Sequence, residues 1–265
     1  MELAFFKPLG IDFFCLGKKF LVFNLVSRNL KIKYRRSILG LFWTLLAPIA
    51  MAFVYYFVFQ VILNIQVPHY LVFILSGILL WTFFSQTLME GLESVVGNWG
   101  LISKVPIPLQ IFPYVGTLTN LVTLLLSLPI IIGAAIIFKT PIGASMVLIP
   151  FYFFLLFIMA YSLSFIAGVA FVYFRDLRHL MGIVMQLWFY STPVIYDENM
   201  IPPQYRWVIF LNPVGHIFTG MHTIFINGGW PSLKHASMAT IWAIVALYAA
   251  ILMKKYFFKE VVERI

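Results

Sequence analysis

Residues 37–89 read SILGLFWTLLAPIAMAFVYYFVFQVILNIQVPHYLVFILSGILLWTFFSQTLM and contain no Asp, Glu, Lys or Arg. A single bilayer crossing takes about 20 consecutive apolar residues. This stretch is long enough for two crossings, and Asn64, Pro68 and His69 mark a turn between them. It therefore predicts two transmembrane helices, over residues 41–63 and 70–92.

The composition of the whole chain supports this interpretation. Of its 265 residues, 62% are hydrophobic and 10% are charged, against about 45 to 50% apolar and about 25% charged in ordinary globular proteins. The apolar runs are continuous, whereas membrane strands alternate in segments of about ten residues. The sequence therefore predicts an all-α, polytopic membrane protein with a single transmembrane domain over residues 1–265.

Later uncharged windows predict the remaining spans and their orientation. Four more spans are expected, at residues 113–138, 144–174, 179–196 and 236–256. With six spans in all, fifteen of the eighteen Lys and Arg lie on the same side as the N-terminus, and only Lys139, Arg206 and Lys234 lie on the other. Basic residues concentrate in cytoplasmic segments. We therefore expect both termini in the cytoplasm.

Residues 207–227 are also uncharged and long enough to cross, but they contain Asn212, Pro213 and two His. A seventh crossing would place the basic C-terminal tail outside, against the same charge rule. We therefore expect residues 197–230 to form re-entrant or interfacial helices on the outer face, as an outer gate region. Irregular backbone is tolerated there if protein or water covers it.

Residues 18–36 read KKFLVFNLVSRNLKIKYRR and predict a basic amphipathic helix in the cytoplasmic headgroup layer. Two roles remain open for this interface helix. It could serve as an anchor and orientation signal, or it could bind an anionic lipid headgroup, since each basic residue near anionic lipid adds about 1 kcal/mol.

Several kinds of activity are disfavoured by the residues present. The chain contains no G-x-x-x-x-G-K-[ST] loop for a nucleotide phosphate and no carboxylate pair at mid-membrane, which argues against a self-powered pump. The five histidines lack metal-ligand spacing, so no metal site is predicted. Asp176 with His179 is the only acid and His pair near the cytoplasmic face, and it flanks a short loop instead of a cleft. We predict no catalytic residue.

Polar and aromatic side chains share a face on two of the predicted spans. Residues four apart lie on one face of a helix, which places Tyr56 beside Gln60 in the first span and Gln186 beside Tyr190 in the fifth. Ring faces can stack on sugar C–H groups, and amides can bond hydroxyls. We predict a glycan channel lined by Tyr56, Phe59, Gln60, Gln186 and Tyr190. Lipid-facing aromatic residues are the alternative for any one of them.

The run YRRSILGLFWTLLAPIAMAFVYYFVF, residues 34–59, resembles the entry into the first span of type-2 ABC transporter permeases that export polysaccharides such as O-antigen, capsule and teichoic acid. Three later segments are similar to this family in the same order. NWGLISKVPIP at 98–108 resembles its coupling helix, YFRDLRHL at 173–180 its fourth-to-fifth loop, and STPVIY at 191–196 with YRWVIFLNPV at 205–214 its outer gate.

The resemblance implies a homodimeric permease in the inner (plasma) membrane that exports a lipid-linked cell-surface polysaccharide, with O-antigen as the first choice. Teichoic acid or capsule export, or a permease for a drug or another lipid, are the alternatives. The implied partner is a separate ABC ATPase in two copies, which binds ATP and Mg, so no cofactor is expected in this chain and no nucleic acid partner either.

The resemblance also assigns residues. The coupling helix, residues 97–110, implies ATPase contacts for Asn98, Leu101, Ile102 and Lys104. The end of the interface helix implies a site for the lipid diphosphate, formed by Lys33, Arg35 and Arg36, since clustered cations suit that charge.

Overall fold

The computed structural model describes residues 11–35, 42–65, 67–102, 104 and 107–264, and all regular elements within them are helical. The prediction of an all-α protein is confirmed for this part of the chain. The helices are α1 Lys19–Tyr34, α2 Phe42–Tyr56, α3 Tyr70–Ser94, α4 Trp99–Ile102, α5 Ile111–Ile137, α6 Ile149–Tyr173, α7 Leu177–Ser191, α8 Trp207–Leu211, α9 Gly215–Asn227 and α10 Leu233–Arg264.

Four helices, α3, α5, α6 and α10, are long and apolar enough to cross a membrane on their own. The predicted first and fifth spans correspond to α2 and α7, which have 15 residues each. At about 1.5 Å per residue such a helix is shorter than a hydrocarbon core of about 30 Å. A π-helical turn, Phe57–Ile62, lengthens α2. The count of six spans therefore remains a prediction.

Two prolines explain why the later helices end where they do. The residue before a proline is held in extended conformation. Thr192 precedes Pro193 with ψ 139°, and α7 ends at Ser191. Asn212 precedes Pro213 with ψ 114°, and there the chain bends by 104° between the segments Pro203–Leu211 and Gly215–Asn227. The segment predicted to be re-entrant is thus a bent helix pair instead of one straight helix.

Helices α3 and α6 form the centre of the molecule, and most of their side chains are buried. Their backbones approach closely where Gly91 of α3 faces Ser164 and Gly168 of α6. A β-carbon added at Gly168 would lie 2.7 Å from the carbonyl oxygen of Gly91. Small residues permit such contacts between membrane helices. Helices α5, α9 and α10 pack around this central pair.

Candidate functional site

A cleft of about 680 Å³ lies between α2, α3 and α7. Helix α3 supplies its buried floor, while α2 and α7 supply two walls that are largely exposed. The lining residues are Trp43, Ala47, Pro48, Met51, Tyr55, Ile78, Trp81, Thr82, Ser85, Gln86, Met185, Gln186, Phe189 and Tyr190.

The cleft combines ring faces with amide groups. Phe189 lies at its centre, with ring centroids 5.5 Å from Trp81, 6.1 Å from Tyr55 and 5.3 Å from Tyr190. The hydroxyls of Thr82 and Ser85 donate to carbonyl oxygens of their own helix. The two glutamine amides, Gln86 and Gln186, are therefore the polar groups best placed to bond a ligand. Such a lining suits a molecule with both apolar and hydroxyl faces.

The structure brings only part of the predicted channel strip to this cleft. Gln186 and Tyr190 line it, and Tyr55 takes the place expected for Tyr56. Tyr56 and Phe59 are half-buried outside the lining. Gln60 is also outside it, in the π-helical turn, and its Oε1 atom is buried with no hydrogen-bond partner among the described residues. The channel roles of Tyr56, Phe59 and Gln60 remain predictions.

The predicted channel residues included Tyr190 but not Tyr55, Trp81 or Phe189, which also line the cleft. Ala47, Met51 and Tyr55 are spaced four apart and therefore share one face of α2. That face combines small, flexible and aromatic residues, and Pro48 lies within the same helix. This mixed face is the signal that could have identified Tyr55.

Lys33 lies in a polar cluster that joins α1 to α3 and α5. Its ammonium donates to Asn120 Oδ1 at 2.9 Å, to Glu90 Oε1 at 3.1 Å and to Gln86 Oε1 at 3.5 Å. Asn120 in turn donates to Glu90 Oε2 at 2.8 Å. A lysine ammonium has three donors, and all three are in use here. Since Gln86 also lines the cleft, the cluster adjoins it.

The other predicted diphosphate ligands are in different positions. Arg35 is exposed just beyond the end of α1, and Arg36 lies outside the described residues. Arg28 and Lys31 are exposed on α1 and were not singled out from the sequence. Their spacing of three residues places them on one face, which is the signal that could have identified them.

The predicted coupling residues follow directly after α3. Asn98 donates to the carbonyl oxygen of Ser94 at 2.8 Å and so caps that helix. Leu101 and Ile102 are half-buried and pack against the cluster that contains Phe112. Lys104 is exposed. The segment therefore has an inner apolar side and an outer polar side, and its contact with an ATPase remains a prediction.

Two acidic residues near the end of α3 bind flanking helices. Glu90 pairs with Lys33 of α1, and Glu93 pairs with Arg178 of α7 at 3.0 Å. Asp176 and His179 are exposed, and neither lines the cleft. Among the described residues, no group of three or more His, Cys, Asp and Glu is arranged to hold a metal ion.

Comparisons with known proteins identify the family of the chain. A family model described as ABC-2 type transporter matches residues 21–226. An O-antigen export system permease protein RfbA from Klebsiella pneumoniae is 28% identical over 205 residues, covering 77% of this chain and 79% of that protein. An O-antigen export system permease protein RfbA from Myxococcus xanthus is 30% identical over 232 residues, covering 87% and 89%.

Proposed function

The chain belongs to the ABC-2 type transporter family, and we propose that it is the permease subunit of an exporter that moves a lipid-linked cell-surface polysaccharide across the inner membrane. O-antigen is the proposed cargo, because that is the cargo in the names of the similar permeases. The chain is a multi-pass membrane subunit without a catalytic domain, and its family implies a separate ATPase.

The cleft between α2, α3 and α7 is the observation that carries the proposal. A glycan exposes hydroxyl groups on its edges and C–H groups on its faces. The rings of Tyr55, Trp81 and Phe189 offer sliding contact to the faces, while Gln86 and Gln186 offer donors and acceptors to the hydroxyls. A drug or a simple lipid would gain less from the amides.

We propose that two copies of the chain close this cleft into a conduit. Both walls are incomplete in one chain, because α2 and α7 expose large apolar side chains such as Phe53, Val54, Ile183 and Leu187. In this arrangement α2 and α7 are the first and fifth of six spans, and the bent α8–α9 pair lies at the outer face. Exposed apolar surface of this extent is typical of lipid or protein contact.

We propose a division of roles among the cations of the interface helix. Lys33 can meet a diphosphate only by leaving Glu90, Gln86 or Asn120, since its three donors are engaged. Arg28, Lys31 and Arg35 are exposed and can reach a headgroup directly. Lys33 therefore positions the helix, and the exposed cations make the first contact with the anionic lipid.

Alanine substitution in the cleft tests the channel assignment. Gln186→Ala, Phe189→Ala and Tyr190→Ala should each reduce surface polysaccharide several-fold at normal expression, because each removes a ring or amide that faces the cargo. Tyr248→Ala is the matched control, since Tyr248 of α10 is 62% exposed and Tyr190 is 54% exposed. Unchanged export in the three cleft variants would refute the assignment.

Copurification tests the partner. The chain should retain an ATPase whose ATP hydrolysis rises when a lipid-linked oligosaccharide is added to the reconstituted complex. Stimulation by drugs or simple lipids alone would favour the other cargo classes.

A further inference from the structure

Two histidines near the bent helix pair form a continuous chain of hydrogen bonds. The Nδ1 atoms of His216 and His235 are 3.0 Å apart. On its other side, His216 Nε2 is 3.2 Å from the carbonyl oxygen of Phe210, and His235 Nε2 is 3.3 Å from Glu198 Oε1. These hydrogen bonds therefore connect four separate segments: the turn Glu198–Met200, α8, α9 and the first residues of α10.

The acceptors at the two ends of this row of hydrogen bonds fix the number of protons on the two rings. A carbonyl oxygen and an ionised carboxylate only accept hydrogen bonds, so both Nε2 atoms must carry a proton. The two Nδ1 atoms then need one proton between them, which one ring donates and the other accepts. The pair thus holds three ring protons. Since a neutral pair holds two, the pair carries one net positive charge.

The surroundings favour this single charge. The hydrogen bond from His235 lowers the pKa of Glu198 despite partial burial, so its carboxylate is ionised at neutral pH and balances the charge. Thr219 also donates to Glu198 Oε2 at 3.5 Å. Arg206 and Lys234 line the same cavity of about 110 Å³, and burial together with Lys234 lowers the pKa of His216, so a second proton on the pair is opposed. Asp197, beside Glu198, is occupied with Asn199.

We propose that His216 and His235 share one proton and that this singly protonated pair is a pH-dependent latch, which holds the start of α10 and the Glu198 turn against the bent α8–α9 pair. The latch is a property of the chain itself and goes beyond the proposed cargo. It joins the segments that would have to separate if the outer region opens.

The latch is strongest in an intermediate pH window. As pH rises, loss of the shared proton leaves two ring protons for three hydrogen bonds, so one of the three bonds is lost whichever tautomers the rings adopt. As pH falls, a second proton places two N–H groups 3.0 Å apart. Protonation of Glu198 also removes the balancing charge, because a carboxylate whose pKa is lowered by folding contributes only above that pKa.

Hydrogen exchange of the full chain in lipid nanodiscs with its ATPase tests the latch. After correction for intrinsic exchange, protection of residues 233–240 should pass through a maximum as pH is varied. His216→Gln and His235→Gln should abolish the maximum. His179→Gln, which changes an exposed histidine of α7, should leave it unchanged. Protection that does not vary with pH in the wild-type chain would overturn the proposal.

A second variant keeps the test decisive if the histidine variants fold poorly. Glu198→Gln keeps the acceptor but removes the charge, so the shared proton should be lost at a lower pH, because a close opposite charge favours the protonated form. Histidine-selective ¹⁵N spectra should show one imidazolium shared by the pair at maximal protection. The latch would be contradicted if protection in Glu198→Gln fell at the same alkaline pH as in the wild-type chain. Spectra that show two neutral rings would also contradict it.

Discussion

The central pair α3 and α6 and the flanking pair α2 and α7 are built in opposite ways. In the central pair, glycine and serine bring two backbones together and most side chains are buried. In the flanking pair, large apolar side chains are exposed, and α7 is held mainly at its ends. The difference shows that a densely packed central pair supports two helices that leave large apolar surfaces open to lipid or to the second copy that we propose.

The largest expected effect comes from filling the contact between α3 and α6. A β-carbon at Gly91 would overlap the hydroxyl of Ser164 and lie 2.7 Å from its Cβ. Gly91→Ala should therefore destabilise the protein by about 3 kcal/mol, at the upper end of ordinary overpacking. The measurement is the thermal unfolding midpoint in nanodiscs, followed by recovery of the folded peak in size-exclusion chromatography.

Gly182→Ala is the control for that experiment, because a β-carbon at this position on α7 meets nothing within 4 Å. It should leave the midpoint unchanged or raise it slightly, since alanine favours a helix over glycine. Equal loss of stability in both variants would mean that the two helix pairs do not differ as described.

A smaller effect is expected at the C-terminal end of α7, where Asn212 connects it to the bent pair. The Asn212 amide donates to Ser191 O at 3.1 Å and Thr192 Oγ1 at 2.8 Å, and its carbonyl accepts from Trp188 Nε1 at 3.0 Å. Asn212→Ala should cost about 2 kcal/mol, because buried polar groups lose their partners. Asn24→Ala, on the exposed surface of α1, should cost far less in the same unfolding assay.

The smallest effect is expected at the other end of α7. The side chains of Arg178 and Glu93 are 64% and 47% exposed, and exposed ion pairs contribute about 0.2 to 1 kcal/mol. A double-mutant cycle with Arg178→Gln and Glu93→Gln should give a coupling energy in that range, which decreases at high salt. Arg175→Gln with Glu93→Gln should show none. A coupling energy larger than the loss of stability in Asn212→Ala would mean that the ion pair, and not Asn212, holds α7 more strongly.

Charge-free windows predicted the helices of the described chain closely. Residues 70–92 were expected for α3, which is Tyr70–Ser94, and residues 113–138 for α5, which is Ile111–Ile137. These windows work because hydropathy is a local property of the chain. Helix α7, predicted as the fifth span, ends five residues earlier than expected, since Pro193 forces Thr192 out of the helix.

The candidate site was less predictable, because it depends on contacts between distant residues. Tyr55 and Tyr56 are neighbours, and only the packing of α2 against α3 decides which of them faces the cleft. Lys33 was expected to be available for a diphosphate, but its partners Glu90 and Asn120 lie 57 and 87 residues away in sequence. No local pattern reports such a pairing. The bend at Asn212 was predictable, since its proline is local.

The two carboxylates near the end of α3 have a mechanical consequence. Glu90 and Glu93 are three residues apart, which separates them by about 60° around the helix axis, and they hold α1 on one flank and α7 on the other. The coupling segment begins within a few residues of Glu93. A small torque applied there would rotate the last turn of α3 and displace both carboxylates together. Whatever pushes on that segment would therefore reach α1 and α7, one wall of the cleft, within the same movement.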